Sequence, residues 1–167
     1  MKKIGDYTLP RGAVYGVCIF FGILVGVVNS FLELDFSFRP ALFGWLIAAI
    51  VIVVILHEGI HGTVAAVLGH KPEFGLKPPL VYITFSSRIP RGHFTLVALA
   101  PFIVLDIVFG FLYVQSVLKL FSNFCFTINT IGAVGDVWIV VNLLKTPKGS
   151  EIQDTKTGFE IWVPDKM

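Results

Sequence analysis

The 167-residue chain is 55% hydrophobic and only 14% charged, against about a quarter charged in a soluble domain, so water is not its main solvent. Its formal net charge of +2, with Lys and Arg scattered, argues against a nucleic-acid surface, and no basic tract points to DNA or RNA. Cys18 and Cys125 lie far apart without CxxC spacing, so they read as buried small hydrophobes rather than a zinc pair or a disulfide.

In chain order, a basic flank of Lys2, Lys3 and Arg11 precedes an apolar run from Ala13 to Phe31. At about 19 residues, with no A-x-A-like site after it, this run reads as a retained membrane anchor rather than a signal peptide. A second run, Ala41 to Leu68, follows Pro40, which suits the first turn of a helix, and precedes Gly69, which can end one in a left-handed conformation. Next comes "KPEFGLKPPLVYITFSSRIPRG", whose prolines surround the β-favouring "LVYITFS" and predict a short strand or hairpin. Two further runs, Phe94 to Phe121 and Phe124 to Leu144, bring the number of segments of spanning length, roughly 20 apolar residues each, to four. The tail holds a second β-like piece, "GFEIWV", expected to pair with the first at the membrane surface.

These elements predict an all-α integral membrane protein, one membrane-embedded domain over residues 1–167, with four transmembrane helices and a short cytoplasmic β-hairpin between the second and third. Basic residues gather at the amino terminus, in the connection bearing Lys71, Lys77, Arg88 and Arg91, and in the tail with Lys145, Lys148, Lys156 and Lys166. The other connections hold little beyond Arg39, so both termini are expected on the cytoplasmic side of a multi-pass cell-membrane protein.

Within the second run, "VVILHEGIHGTVAAV" sets His57, Glu58 and His61 in H-E-x-x-H spacing. Residues i and i+4 share a helix face, so both imidazoles can hold one zinc ion while the neighbouring carboxylate reaches a water there. Zinc lowers the pKa of such a water to about 7, and a carboxylate at Glu58 can take its proton during attack on an amide carbonyl. Ionisable groups inside a membrane cost several kcal/mol, so three within about one turn argue for function over simple interhelical hydrogen bonding.

A catalytic zinc site needs a third protein ligand. Two intramembrane carboxylates qualify, Asp106 in "PFIVLDIVFG" and Asp136 in "GAVGDVWIV". At 1.5 Å per residue the histidines lie roughly 10 to 17 Å from the cytoplasmic end, Asp136 about 13 Å and Asp106 about 18 Å. Gly132 and Gly135 would let the helix of Asp136 approach closely, which favours Asp136. Asp106 stays open as an alternative ligand, as a hydrogen-bonded group near carbonyls freed by Pro101, or as a partner orienting a ligating imidazole. His70 and His93 fall near helix ends and read as structural or solvated, whereas Asn129 and Asn142 read as interhelical hydrogen-bonding groups.

Together these residues resemble the site-2 protease group of intramembrane zinc metalloproteases. More closely, "HEGIHG", "LGHKPEFGLK", "ALAP", "GAVGDVW" and "GFEIWVP" are similar to a compact bacterial and archaeal family of small membrane zincin peptidases. The resemblance implies a zinc metalloprotease in which Zn2+ is held by His57, His61 and Asp136, with Glu58 as general base. It also implies hydrolysis of a peptide bond in a membrane-associated protein or peptide substrate. The strand expected at Leu80 to Ser86 would offer such a substrate an edge. Asp136 departs from the site-2 pattern in preceding Val137 rather than Gly and in lacking an upstream Asn-Pro. The alternative expectation, a catalytically inactive metal-binding membrane scaffold or metal carrier, gives an intact Glu58 nothing to do.

Overall fold

The computed structural model describes residues 1–8, 12, 15–16, 19–20, 22–23, 40–77, 80–115, 118–155 and 158–165, without side chains at 40–42, 76–77 and 80–81. The expected anchor at Ala13–Phe31 falls largely outside those residues, and Cys18, Arg11, Arg39 and Lys156 fall wholly outside. Among the described residues, 12, 15–16, 19–20 and 22–23 are helical, and the helices described from end to end are α1 (Pro40–Val67), α2 (Arg91–Val114), α3 (Lys119–Gly132) and α4 (Val134–Leu144). Three helical segments among the described residues, α1 from Phe43, α2, and α3 with α4 as Lys119–Leu144, are long and apolar enough to cross a membrane. Their polarity is that of a bundle in hydrocarbon: Ile47, Ile55, Ile107, Phe111 and Val141 point outward, while Ala49, Val53, Leu105, Phe109 and Cys125 pack together inside. Cys125 is thus the buried small hydrophobe its surroundings predict.

Pro40 opens α1, where its missing N–H has no helical partner to lose. Gly69 closes it at φ +85, with the N–H groups of Gly69 and His70 donating to Ala66 and Ala65 carbonyls at 3.0 and 2.9 Å, a Schellman end. The third apolar run departs from its expected extent. Helix α2 stops at Val114, Leu118 turns the chain at φ 45, and Lys119 begins a new helix rather than ending an old one. Hydropathy runs on across this turn because the left-handed residue is a leucine, with no Gly or Pro to mark it. The fourth run is likewise two helices meeting at Ala133.

The expectation of an all-α chain is corrected by six strands among the described residues, β1 (Lys2–Thr8), β2 (Pro72–Lys77), β3 (Leu80–Phe85), β4 (Ile89–Pro90), β5 (Glu151–Thr155) and β6 (Gly158–Val163). Strands β2 and β3 form the expected hairpin, with Phe74 opposite Ile83. "GFEIWV" does not pair with it: β6 lies between β1 and β5 in an antiparallel sheet of order β1-β6-β5-β4. Alternation along β6 sends Phe159, Ile161 and Val163 into the core, where they meet Phe85, Phe94, Leu143 and Ile152. Full burial of such side chains stabilises by about 1.5–3 kcal/mol each. Strand β1 binds through Tyr7, stacked on Phe159 at 5.1 Å, and Lys3, 2.8 Å from Glu160. Its "KKIGDYT" has the charge and glycine of a flank, which hides it from strand propensity.

Both ends of the described chain therefore share one sheet, and β4 leads from that sheet directly into α2. Arg91 fastens this junction, its N–H donating to Ser150 O at 2.9 Å and its guanidinium to the Thr146 carbonyl. Arg88 lies 3.7 Å over the Trp162 ring, a cation–π contact. Arg88 and Arg91 thus have packing roles at the sheet end of the helices.

Candidate metal centre

One turn of α1 carries His57 and His61 on a common face, ring centroids 4.8 Å apart. Asp136, in the first turn of α4, points its carboxylate between them: Oδ2 is 3.1 Å from His57 Nε2, and Oδ1 is 3.6 Å from His61 Nε2. Ligand-capable atoms of the three residues lie within 4.8 Å of one another, the one such group of three among the described residues. Donors about 2.1 Å from a tetrahedral ion sit roughly 3.4 Å apart, a value that the 3.1 and 3.6 Å separations bracket.

Hydrogen bonds settle which ring nitrogens are free. His61 Nδ1 lies 2.8 Å from the Val97 carbonyl, which can only accept, so Nδ1 carries the proton and Nε2 the lone pair. His57 Nδ1 lies 2.9 Å from Asn129 Oδ1. The Asn129 amide is oriented by its nitrogen, which donates to Asp106 Oδ1 at 2.8 Å and to Pro101 O at 3.3 Å, leaving its oxygen to accept from His57. With each Nδ1 committed as a donor, Nε2 of each ring, facing the Asp136 carboxylate, is the nitrogen that would take a metal in place of a proton, and this two-nitrogen, one-oxygen donor set fits zinc.

Asp106 stands outside the group. Its carboxylate takes Asn129 Nδ2 on one oxygen and Thr130 Oγ1, at 2.9 Å, on the other. The glycines before Asp136 also act differently from expectation: a Cβ at Gly132 or Gly135 would meet nothing within 4 Å. Rather than drawing helices together, Gly132 helps open a cavity of about 160 Å3 beside His57, Glu58 and Asn129. The close approach is at Gly62, where a Cβ would come 2.7 Å from Phe74 and 3.0 Å from Ile83, so the hairpin rests on α1 one residue past His61. The doubled glycine of "HEGIHG" was the available sign of it.

Glu58 sits between two openings. One is the cavity just described; the other, of about 180 Å3, is bounded by His61, Tyr82, Phe94, Asp136 and Asp154. The Glu58 carboxylate accepts a hydrogen bond from the Ile83 backbone N–H, which places the motif's acid against the outer edge of β3. Further along that edge, Asp154 accepts from the Thr84 side chain and the Phe85 N–H, and Gln153 Nε2 donates to Phe85 O at 3.1 Å. Neither β5 residue was singled out in the sequence, where "EIQDT" reads as polar tail.

Burial pushes the Asp154 carboxyl above its ordinary 3.8, against the pull of these hydrogen bonds. A carboxyl raised in the folded state contributes stability that is fully present below its unfolded value and lost as pH rises through the folded one. Asp154→Asn is therefore expected to melt above wild type in detergent at about pH 8, with the gap closing toward about pH 4. A gap independent of pH contradicts this.

His70 and His93 do not join the metal group. His70 Nε2 lies 2.9 Å from His93 Nδ1, tying the end of α1 to the start of α2. Burial, and then the neighbouring His93, hold His70 below its ordinary 6.5.

A family model described as "Putative zincin peptidase" matches residues 50–150, a stretch that contains both histidines, Glu58 and Asp136. The chain is 28% identical over 159 residues, 91% of its own length and 71% of the relative's, to "Uncharacterized 24.7 kDa protein in gap 5'region" of Pyrococcus woesei. No solved structure matches.

Proposed function

The chain belongs to the zincin peptidase family whose model it matches, and from that premise we propose that it is an intramembrane zinc metallopeptidase. Its substrate is a membrane-associated protein or peptide, cut in the cytoplasmic half of the bilayer. The observation that carries this reading is the convergence of His57 Nε2, His61 Nε2 and the Asp136 carboxylate next to Glu58. His57, His61 and Asp136 hold the zinc, which when bound supplies Lewis acidity toward water and the scissile carbonyl.

The remaining work belongs to the chain's own groups. Glu58 accepts the proton that the attacking water sheds as its oxygen bonds to the carbonyl carbon, then delivers it to the amide nitrogen as the C–N bond breaks. Tyr82, Phe85 and Phe94 line the larger cavity and restrict water to the proton's path. An extended substrate adds to the outer edge of β3, with its main chain beside Ile83 and so beside Glu58. Asp154 and Gln153 already occupy Phe85 and Glu58 takes the Ile83 N–H, so the substrate's place on this edge runs from the Ile83 carbonyl toward Val81. The Lys and Arg clusters orient the sheet and both termini toward the cytoplasm.

Purified protein loaded with zinc is expected to cleave a membrane-tethered reporter, to stop when zinc is chelated, and to resume when zinc is restored. Cleavage indifferent to chelation would show another chemistry.

A further inference from the structure

The outward nitrogens of the two ligand imidazoles go to neighbouring helices, that of His61 to α2 directly and that of His57 to Asn129 of α3, whose amide α2 holds. In an α-helix each carbonyl accepts the N–H four residues on, and Pro101, inside α2, has none to give. The carbonyl left without that partner is Val97's, and it is the one 2.8 Å from His61 Nδ1. A little over one turn past Pro101, Asp106 Oδ1 accepts from Asn129 Nδ2 at 2.8 Å, and Asn129 Oδ1 in turn meets His57 Nδ1 at 2.9 Å. Asn129 is 0% exposed, and both its polar atoms are engaged, the nitrogen reaching Pro101 O as well. Thr130 Oγ1 steadies the other Asp106 oxygen at 2.9 Å.

We infer that α2 is a positioning helix for the metal centre: Pro101 frees the Val97 carbonyl that fixes His61, and Asp106, acting through Asn129, fixes His57. This rests on the proposed zinc ligands. Neither Pro101 nor Asp106 belongs to the ligand group; each sets the tautomer and ring direction of a residue that does. The two devices differ in chemistry. One is a main-chain acceptor exposed by a missing donor, the other a carboxylate relayed by an amide.

The test uses the full-length protein in detergent, stripped of metal. Zinc affinity is read by competition with a chromophoric chelator, and the melting temperature of the metal-free form is recorded for each variant. Pro101→Ala returns an N–H to the Val97 carbonyl, where it competes with His61, while improving the helix propensity of α2. It is expected to weaken zinc binding roughly 10- to 100-fold with no fall in metal-free stability. Asp106→Leu is expected to weaken zinc binding by a similar factor, and Asp106→Asn, which keeps an acceptor for Asn129, to recover most of it.

Zinc affinity unchanged in Pro101→Ala, with Asp106→Leu altering only the melting temperature, overturns the inference and leaves both residues as bundle packing. If Asp106→Leu fails to fold, Pro101→Ala decides, because packing alone predicts no loss of affinity from it. Zinc absent from wild type overturns the proposed function as well, whereas zinc bound equally by wild type and variants overturns only this inference.

Discussion

Glu58→Gln is expected to keep its zinc and lose cleavage by about 10²- to 10⁴-fold, the usual contribution of a positioned general base. The change preserves size, and the amide oxygen can still accept from the Ile83 N–H that meets the carboxylate. The convergent atoms of His57, His61 and Asp136 are untouched. What disappears is a group able to take a proton from water and return it to the leaving nitrogen. Turnover of a membrane-tethered reporter should collapse while the zinc content stays at the wild-type level. A variant that cleaves within a few-fold of wild type would remove Glu58 from the chemistry, and a variant that has lost its zinc would make Glu58 part of the metal's support.

The second large effect belongs to Asp136→Ala. Structural zinc sites gain about 10–16 kcal/mol from four ligands, or roughly 3 kcal/mol each, so losing one of three donors should weaken binding roughly 10²- to 10³-fold. Here the loss should fall at the upper end. Without the carboxylate at 3.1 and 3.6 Å, two imidazoles on one helix are the remaining donors of the group. Cleavage should be lost together with the metal, unlike in Glu58→Gln, where the two separate. The same measurement ranks the two intramembrane aspartates: Asp106 touches Asn129 and Thr130 rather than the ligand group, so its replacement should cost less zinc affinity than that of Asp136. The reverse order would make Asp106 the ligand.

The local parts of the site were legible because helical spacing is short-range physics. Four residues on one helix return to the same face, so His57 and His61 could be paired from the sequence, and Gly69 announced the end of α1. Asp136 was favoured by depth, by resemblance and by Gly132 and Gly135, and the glycine argument failed: a Cβ at either glycine would meet nothing within 4 Å, and the close contact is at Gly62. Glycine in a sequence signals room for a neighbour without saying whether a neighbour comes. The four-stranded sheet escaped because β5 is short and polar and because β1, also polar, joins β6 across nearly the whole chain, a pairing that no local pattern encodes. That the carbonyl freed by the proline of "ALAP" would meet His61 could not be named in advance either, because it depends on how α1 and α2 pack.

The central claim is that this chain holds one zinc ion between two α1 imidazoles and the Asp136 carboxylate. X-ray absorption at the zinc edge, on wild-type protein purified in detergent, tests it most directly. The account predicts one zinc per chain, a first shell of nitrogen and oxygen with the scattering pattern of two imidazoles, and a shell depleted of zinc in Asp136→Ala. A zinc-free wild type, a shell containing sulfur, or a two-imidazole signal that survives intact in Asp136→Ala would contradict it.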